Sequence, residues 1–147
     1  MNYQLFLAAF KMKYKNMEFL LNYLREELQY LILEAIYKKI TYPLYFMGGT
    51  HLRLSYRIGR FSEDLDFALD TPTPSFDAEA LVSLLQNAFR QEDTGFRFHI
   101  RLNTNRNVIK VMLHFASVLY DLGLSPLKDQ VLKIKLEVDI RPPAHAH

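Results

Sequence analysis

Gly48-Gly49-Thr50 and, further along, Asp64-Leu65-Asp66 are the residues of this chain best suited to do chemistry. Around them, Leu44 to Met47 reads as an apolar strand and the glycines as a tight turn. Thr50 to Arg57 reads as a short helix with Leu52 and Leu54 turned inward, and Asp64 to Leu69 as a second strand. Side chains alternate along a strand, so Asp64 and Asp66 share one face and Leu65 and Phe67 the other. Two carboxylates about 7 Å apart on one face repel each other unless a cation lies between them. Hard oxygen donors suit Mg2+. A glycine turn at a helix N-terminus presents backbone N–H groups, which makes it a place for phosphate. Phosphate cradle and metal carboxylates together point to phosphoryl or nucleotidyl transfer.

The block Phe46-Met47-Gly48-Gly49-Thr50-His51-Leu52-Arg53-Leu54, followed by Arg60-Phe61-Ser62-Glu63-Asp64-Leu65-Asp66-Phe67, resembles the AbiEii/AbiGii-type nucleotidyltransferase toxins. That family lies in the DNA-polymerase-β-like nucleotidyltransferase superfamily, whose signature is a Gly-Gly or Gly-Ser turn followed by an Asp-x-Asp strand. Either motif alone is weak; the block from Phe46 to Phe67 is specific. The resemblance implies transfer of a nucleotide from an NTP, with Mg2+ or Mn2+, to an RNA (tRNA among the candidates) or to a protein. It also implies a toxin opposed by a separately encoded antitoxin, working in the cytoplasm. A truncated or non-catalytic module that needs a partner is the alternative, because family members usually continue into a helical C-terminal region that this chain lacks.

In nucleotidyl transfer a hydroxyl attacks the α-phosphate while pyrophosphate leaves in line, and a third carboxylate normally completes the metal site. The stretch Val131 to Ile140 alternates as a strand, with Lys133, Lys135, Glu137 and Asp139 on one face and Leu132, Ile134, Leu136, Val138 and Ile140 on the other. Glu137 and Asp139 are both candidates. A Lys-x-Glu-like segment holds this place in the family, so the resemblance implies Glu137, with Asp139 the alternative. Gly48 and Gly49 are expected to let the triphosphate reach the backbone, and Thr50 or Ser62 to add a hydroxyl contact. Arg60, Lys133 or Lys135 would neutralise charge on the β- and γ-phosphates. Lys135 beside Glu137 also reads as an ordinary ion pair. The histidines show no metal-ligand spacing, and Ser62 has no general-base partner nearby.

The elements that must position these residues form an α/β mixture: helix, strand, helix, strand, helix, then three strands. The expected architecture is a small mixed β-sheet with helices packed on one side, residues 1–147 making a single nucleotidyltransferase core with 1–16 as an N-terminal extension. Met1 to Phe10 reads as an extra helix turn or strand, with Met12 and Met17 as alternative starts. Asn16 to Lys39 reads as one amphipathic helix, its stripe running through Leu24, Leu28 and Ile36, with Arg25, Glu26, Glu27 and Lys38 off it. Pro43 stops it, and Thr71-Pro72-Thr73-Pro74-Ser75 reads as a loop. Asp77 is an N-cap for a helix through Leu81, Leu85 and Phe89, with Phe76 and Leu81 as a hydrophobic staple. Gly95 ends that region, and Pro142-Pro143 ends the last strand.

At 147 residues, half of them hydrophobic, the chain can bury a core. It has no cysteine, which excludes disulfides, thiolate zinc sites and thiol nucleophiles. No apolar run approaches the roughly eighteen residues of a membrane span, and no signal-peptide layout is visible. A net charge of +2 is too small by itself to argue for nucleic acid. Its distribution says more. In Phe96 to Leu102 apolar and basic residues alternate, and Lys110 and His114 extend the basic face after a polar turn, either as a solvated face or as a groove for an RNA backbone.

Overall fold

Five stretches of alternating side chains pair into one mixed sheet in a computed structural model that describes residues 2–39, 44–56, 61–69, 76–105 and 107–140. Arg60, the Thr71–Ser75 loop, Pro43 and Pro142-Pro143 lie outside the described residues. The strands are β1 (Leu44–Met47), β2 (Leu65–Leu69), β3 (Arg97–Thr104), β4 (Val108–Ala116) and β5 (Val131–Asp139), in the order β1-β2-β5-β4-β3. β2 and β5 run parallel, and every other pair is antiparallel.

Register sorts the two faces. Phe67 lies beside Phe46 and Val138, Leu65 beside Leu136, Val111 beside Leu136, and Leu113 beside Ile134 and Ile100. These form the buried face, covered by the apolar stripes of α1 (Tyr3–Lys13), α2 (Leu20–Lys39) and α4 (Ala78–Ala88). A ring cluster of Phe89, Phe96, Phe98 and Phe115, with centroids 5.1 to 6.1 Å apart, closes one end of this core. The other face carries Asp66, Glu137, Lys110, Lys135, Lys133, His114, His99 and Arg101, none of them buried.

Local chemistry sets the boundaries. The Asn2 side chain accepts from Leu5 N–H at 3.1 Å and starts α1, so the leading residues form a helix that packs Tyr3, Leu7 and Phe10 into the core. The single helix expected from Asn16 instead begins at Leu20, because Asn16 and Phe19 adopt φ of 60° and 59° and break the chain between α1 and α2. Asp77 caps α4 by accepting from Ala80 N–H at 3.0 Å, and Phe76 packs against the core. The short α5 (Gln91–Thr94) ends at Gly95, which takes φ of 84°. Asn105 makes the turn between β3 and β4, its side chain accepting from the N–H groups of Asn107 and Val108. A further short helix, α6 (Val118–Asp121), precedes the loop into β5, and the Tyr3 hydroxyl donates to Asp121 at 2.6 Å.

The helix behind the glycines, α3 (Gly48–Tyr56), starts two residues earlier than the sequence suggests. It leans on α2 rather than burying its leucines: Leu52 is 48% exposed, contrary to expectation. The tie is the Arg53–Glu26 ion pair, 2.8 Å from Nε to Oε2, with the guanidinium 4.3 Å from the Phe61 ring centroid. Glu26 is thereby buried, although helical periodicity places it off the apolar stripe.

Candidate active site

Parallel pairing of β2 with β5 sets Asp66 directly beside Glu137, while Asp139 lies two residues on, beside Ala68. Asp64 precedes β2 and faces the same way, because Lys135 reaches both acids: its Nζ is 3.5 Å from Asp64 Oδ2 and 3.3 Å from Glu137 Oε1. Asp64 and Glu137 thus meet at one lysine, with Asp66 beside Glu137 in register.

The electrostatics follow from that crowding. Burial first, then the charges of Glu137 and Asp64, raise the Asp66 pKa above its ordinary value, against the opposing pull of Lys135. The Lys135 pKa is raised in turn by its hydrogen bond to Glu137 and by the charges of Asp64 and Glu137. Among the described residues no three carboxylate or histidine side chains converge as a preformed metal cage. Asp64 and Glu137 turn instead toward the ammonium between them, which occupies the place of a cation. An all-oxygen donor set with one carboxylate under like-charge strain has the chemistry that Mg2+ or Mn2+ requires. Asp64, Asp66 and Glu137 would hold such an ion once released from Lys135.

The glycines sit against these acids. Gly48 has φ of +83°, and a Cβ there would lie 2.8 Å from Asp66 Oδ2, so the turn is closed to any side chain on both counts. Gly49 adopts no such conformation; a Cβ there would meet Ser62 Oγ at 3.5 Å, an ordinary contact. Thr50 is 1% exposed and its hydroxyl donates to the Asp64 carbonyl, so within the fold this hydroxyl fastens the strand entry. Its neighbours Gly48 and Gly49 remain at the open edge of the helix.

Sequence reasoning missed Gln29. Fully buried on α2, it donates through Nε2 to the carbonyls of Ser62 and Glu63, each at 3.1 Å. The one available signal was an amide next to the apolar stripe of Leu24, Leu28, Ile32 and Ile36; its partners lie far away in sequence.

Beside the carboxylates the open face is basic. A cavity of about 230 Å³ is lined by Arg101, Asn103, Lys110, Met112, His114, Lys133 and Lys135, so Lys135 belongs to both regions. Lys133 and His99 flank His114 in register, and the imidazoles of His99 and His114 lie 5.5 Å apart. Burial lowers the His114 pKa.

Known proteins share the family pattern and the fold of this chain. A family model described as the nucleotidyl transferase AbiEii toxin of a type IV toxin–antitoxin system matches residues 31–147. Among solved structures, a candidate nucleotidyltransferase from H. pylori is similar at a TM-score of 0.56 and 23% identity, over 83% of this chain and 47% of that one. JHP933 from Helicobacter pylori is similar at 0.55 and 22%, over 85% of this chain and 47% of that one. At such identity these likenesses speak for the fold, and the chain spans about half the length of each. No curated protein matches.

Proposed function

The chain belongs to the AbiEii family of nucleotidyltransferase toxins from type IV toxin–antitoxin systems, and from that premise we propose that it transfers a nucleotide from an NTP to an RNA acceptor. The observation that carries this reading is the juxtaposition of Asp66 with Glu137 across the parallel pair, with Gly48 pressed against Asp66. Asp64, Asp66 and Glu137 act as the ligands for Mg2+ or Mn2+, with Asp139 one step beyond. Bound there, the ion supplies charge stabilisation at the attacking and leaving oxygens. Gly49 and the start of α3 receive the triphosphate, and Ser62 offers its hydroxyl beside Gly49. Lys135, and Lys133 beyond it, compensate charge on the phosphates.

The acceptor class is read from the basic face. Arg101, Lys110, His114 and Lys133 continue outward from Lys135, which suits a phosphodiester backbone better than a protein side chain. The working compartment is the cytoplasm, with a separately encoded antitoxin as regulator; among the described residues no helix is long and apolar enough to cross a membrane.

One observation favours a second reading. The chain spans 47% of each similar structure, so it is alternatively a nucleotidyltransferase core that works only with a further segment or partner. One experiment separates the two. Purified protein is incubated with each α-labelled NTP, Mg2+ or Mn2+, and total RNA, beside Asp64→Ala and Asp66→Ala. Label in RNA with the wild type alone supports transfer; label on protein moves the acceptor assignment. Equal labelling by the aspartate variants refutes the metal assignment, and no label at all favours the partner-dependent core.

A further inference from the structure

Three consecutive backbone carbonyls lead into the acidic strand, and each is held by a side chain from another element. Gln29 Nε2 donates to Ser62 and to Glu63 at 3.1 Å each, and the Thr50 hydroxyl donates to Asp64. Both side chains are almost wholly buried, at 0% and 1% exposure. The arrangement is not one that packing alone would select. Gln29 lies beside an apolar stripe, and among the described residues its Oε1 has no hydrogen-bond partner, an acceptor that a leucine or methionine would not bury. One helical turn earlier, Arg25 Nε is also buried and without a partner among the described residues, and Arg25 reaches Glu63 at 3.9 Å. Arg25 and Gln29 thus both approach Glu63 from one face of α2.

We infer that Gln29 is a positioning residue for the carboxylate site: with Thr50 it clamps the Ser62–Asp64 backbone and so fixes where Asp64 and Asp66 present their oxygens. The inference rests on the metal reading of the proposed function. The physical reason for such a clamp is the repulsion within the site. Asp64, Asp66 and Glu137 push one another apart, and Asp64 stands before the first residue of β2, outside the sheet's own pairing. Without external anchors that residue would turn outward to solvent. Gln29 reaches two carbonyls that precede the first residue of β2, from a helix seated in the core by Leu28 and Ile32.

The test uses the full chain with three substitutions. Gln29→Met keeps length and helix propensity but removes the donors. Gln29→Glu keeps the shape but sets oxygens against the two carbonyls. Thr50→Val keeps the shape and removes the third bond. Folding is followed by circular dichroism and thermal unfolding, and Mn2+ affinity by calorimetry or electron paramagnetic resonance, which needs no turnover. The expected result is a folded Gln29→Met with Mn2+ affinity about 10- to 100-fold weaker, as for lost outer supports of metal ligands. Where transfer is measured, kcat should fall similarly while KM for NTP moves by less than about threefold, since the nucleotide's own contacts remain. Gln29→Glu should be at least as impaired, and the losses in Gln29→Met and Thr50→Val should be non-additive. Wild-type affinity and kcat in folded Gln29→Met would overturn the inference. So would collapse of the fold in both Gln29→Met and Thr50→Val, which would assign them to stability. A wild type that itself fails to bind Mn2+ would overturn the metal reading beneath it.

Discussion

Substituting each of the two adjacent glycines by alanine should have opposite effects on stability. At Gly48 the backbone has φ of +83°, a conformation that costs an L-residue about 1–2 kcal/mol. For a chain of this size that lowers Tm by roughly 2–8 °C. The new methyl would also stand 2.8 Å from Asp66 Oδ2, so the carboxylate must withdraw by about half an ångström to reach an ordinary C···O separation. A 1 Å error in a reacting constellation costs on the order of 100-fold, so Gly48→Ala should lose roughly 10- to 100-fold in transfer. At Gly49 the same methyl meets Ser62 Oγ at 3.5 Å without strain. Alanine in a helix gains about 0.5–1 kcal/mol over glycine, so Gly49→Ala should raise Tm by a few degrees.

Activity then separates two roles. If a triphosphate comes to the backbone at Gly49, Gly49→Ala loses activity although it is more stable, and the loss appears as a raised KM for NTP. Gly48→Ala should instead lose Mn2+ affinity and kcat. Thermal unfolding with and without Mn2+, together with kcat and KM from α-labelled NTP, gives all four quantities. Unchanged Mn2+ affinity and kcat in Gly48→Ala, or equal Tm values for the two variants, would refute the reasoning.

Four further outcomes follow from the same coordinates. Asp66 has a raised folded pKa, so its folded state binds a proton more tightly than the unfolded one, and stability rises as pH falls from above that pKa toward the ordinary 3.8. Asp66→Asn should therefore have a higher Tm than the wild type at pH 7 without divalent ions, a gap that narrows toward pH 4, and should lose the rise in Tm on adding Mn2+. Lys135→Met removes the cation that competes for Asp64 and Glu137; titration calorimetry should show Mn2+ binding about two- to fivefold tighter, the equivalent of one half-exposed ion pair, and assays should show slower transfer. Glu26→Ala removes the carboxylate that pairs with the Arg53 guanidinium between α2 and α3, and denaturant unfolding should show a loss of about 1.5–3 kcal/mol. Arg101→Ala should weaken RNA binding and reduce its salt dependence, measured as the slope of log K against log salt, by about 1; an unchanged slope would remove the phosphate contact.

The placement of the acids was legible in the sequence because it lies in local patterns. Asp64 and Asp66 alternate with buried Leu65 and Phe67, and Glu137 alternates with Leu136 and Val138, so each acid announced its own face. The cap at Asp77 and the stop at Gly95 were equally local. Partnership was not legible. Periodicity cannot say that β5 inserts between β2 and β4, so the choice between Glu137 and Asp139 as neighbour of Asp66 waited on register. Gln29 and Glu26 escaped because helix periodicity sorts residues by face and says nothing of a polar residue buried against a distant loop. The bond from the Thr50 hydroxyl to the Asp64 carbonyl was not legible for the same reason: its partner lies on another element.

The charge arrangement supports the proposed cation site by its cost to stability. Setting Asp66 and Glu137 directly across a strand pair places like charges at a destabilising separation. On its other side Glu137 lies beside Lys110 of β4, the opposite-charge pair that a sheet under no other demand favours. Lys135 offsets the repulsion in part: it reaches Asp64 and Glu137 at 3.5 and 3.3 Å, yet burial first, and then the charges of Glu137 and Asp64, still leave Asp66 with a raised pKa. A single ammonium donates along fixed directions and cannot serve three carboxylates equally, whereas a divalent ion brings twice the charge and accepts oxygens from several sides. The residual strain at Asp66 is therefore what such an ion would relieve, and the relief should appear as a Tm that rises with Mn2+ in the wild type and stays flat in Asp66→Asn.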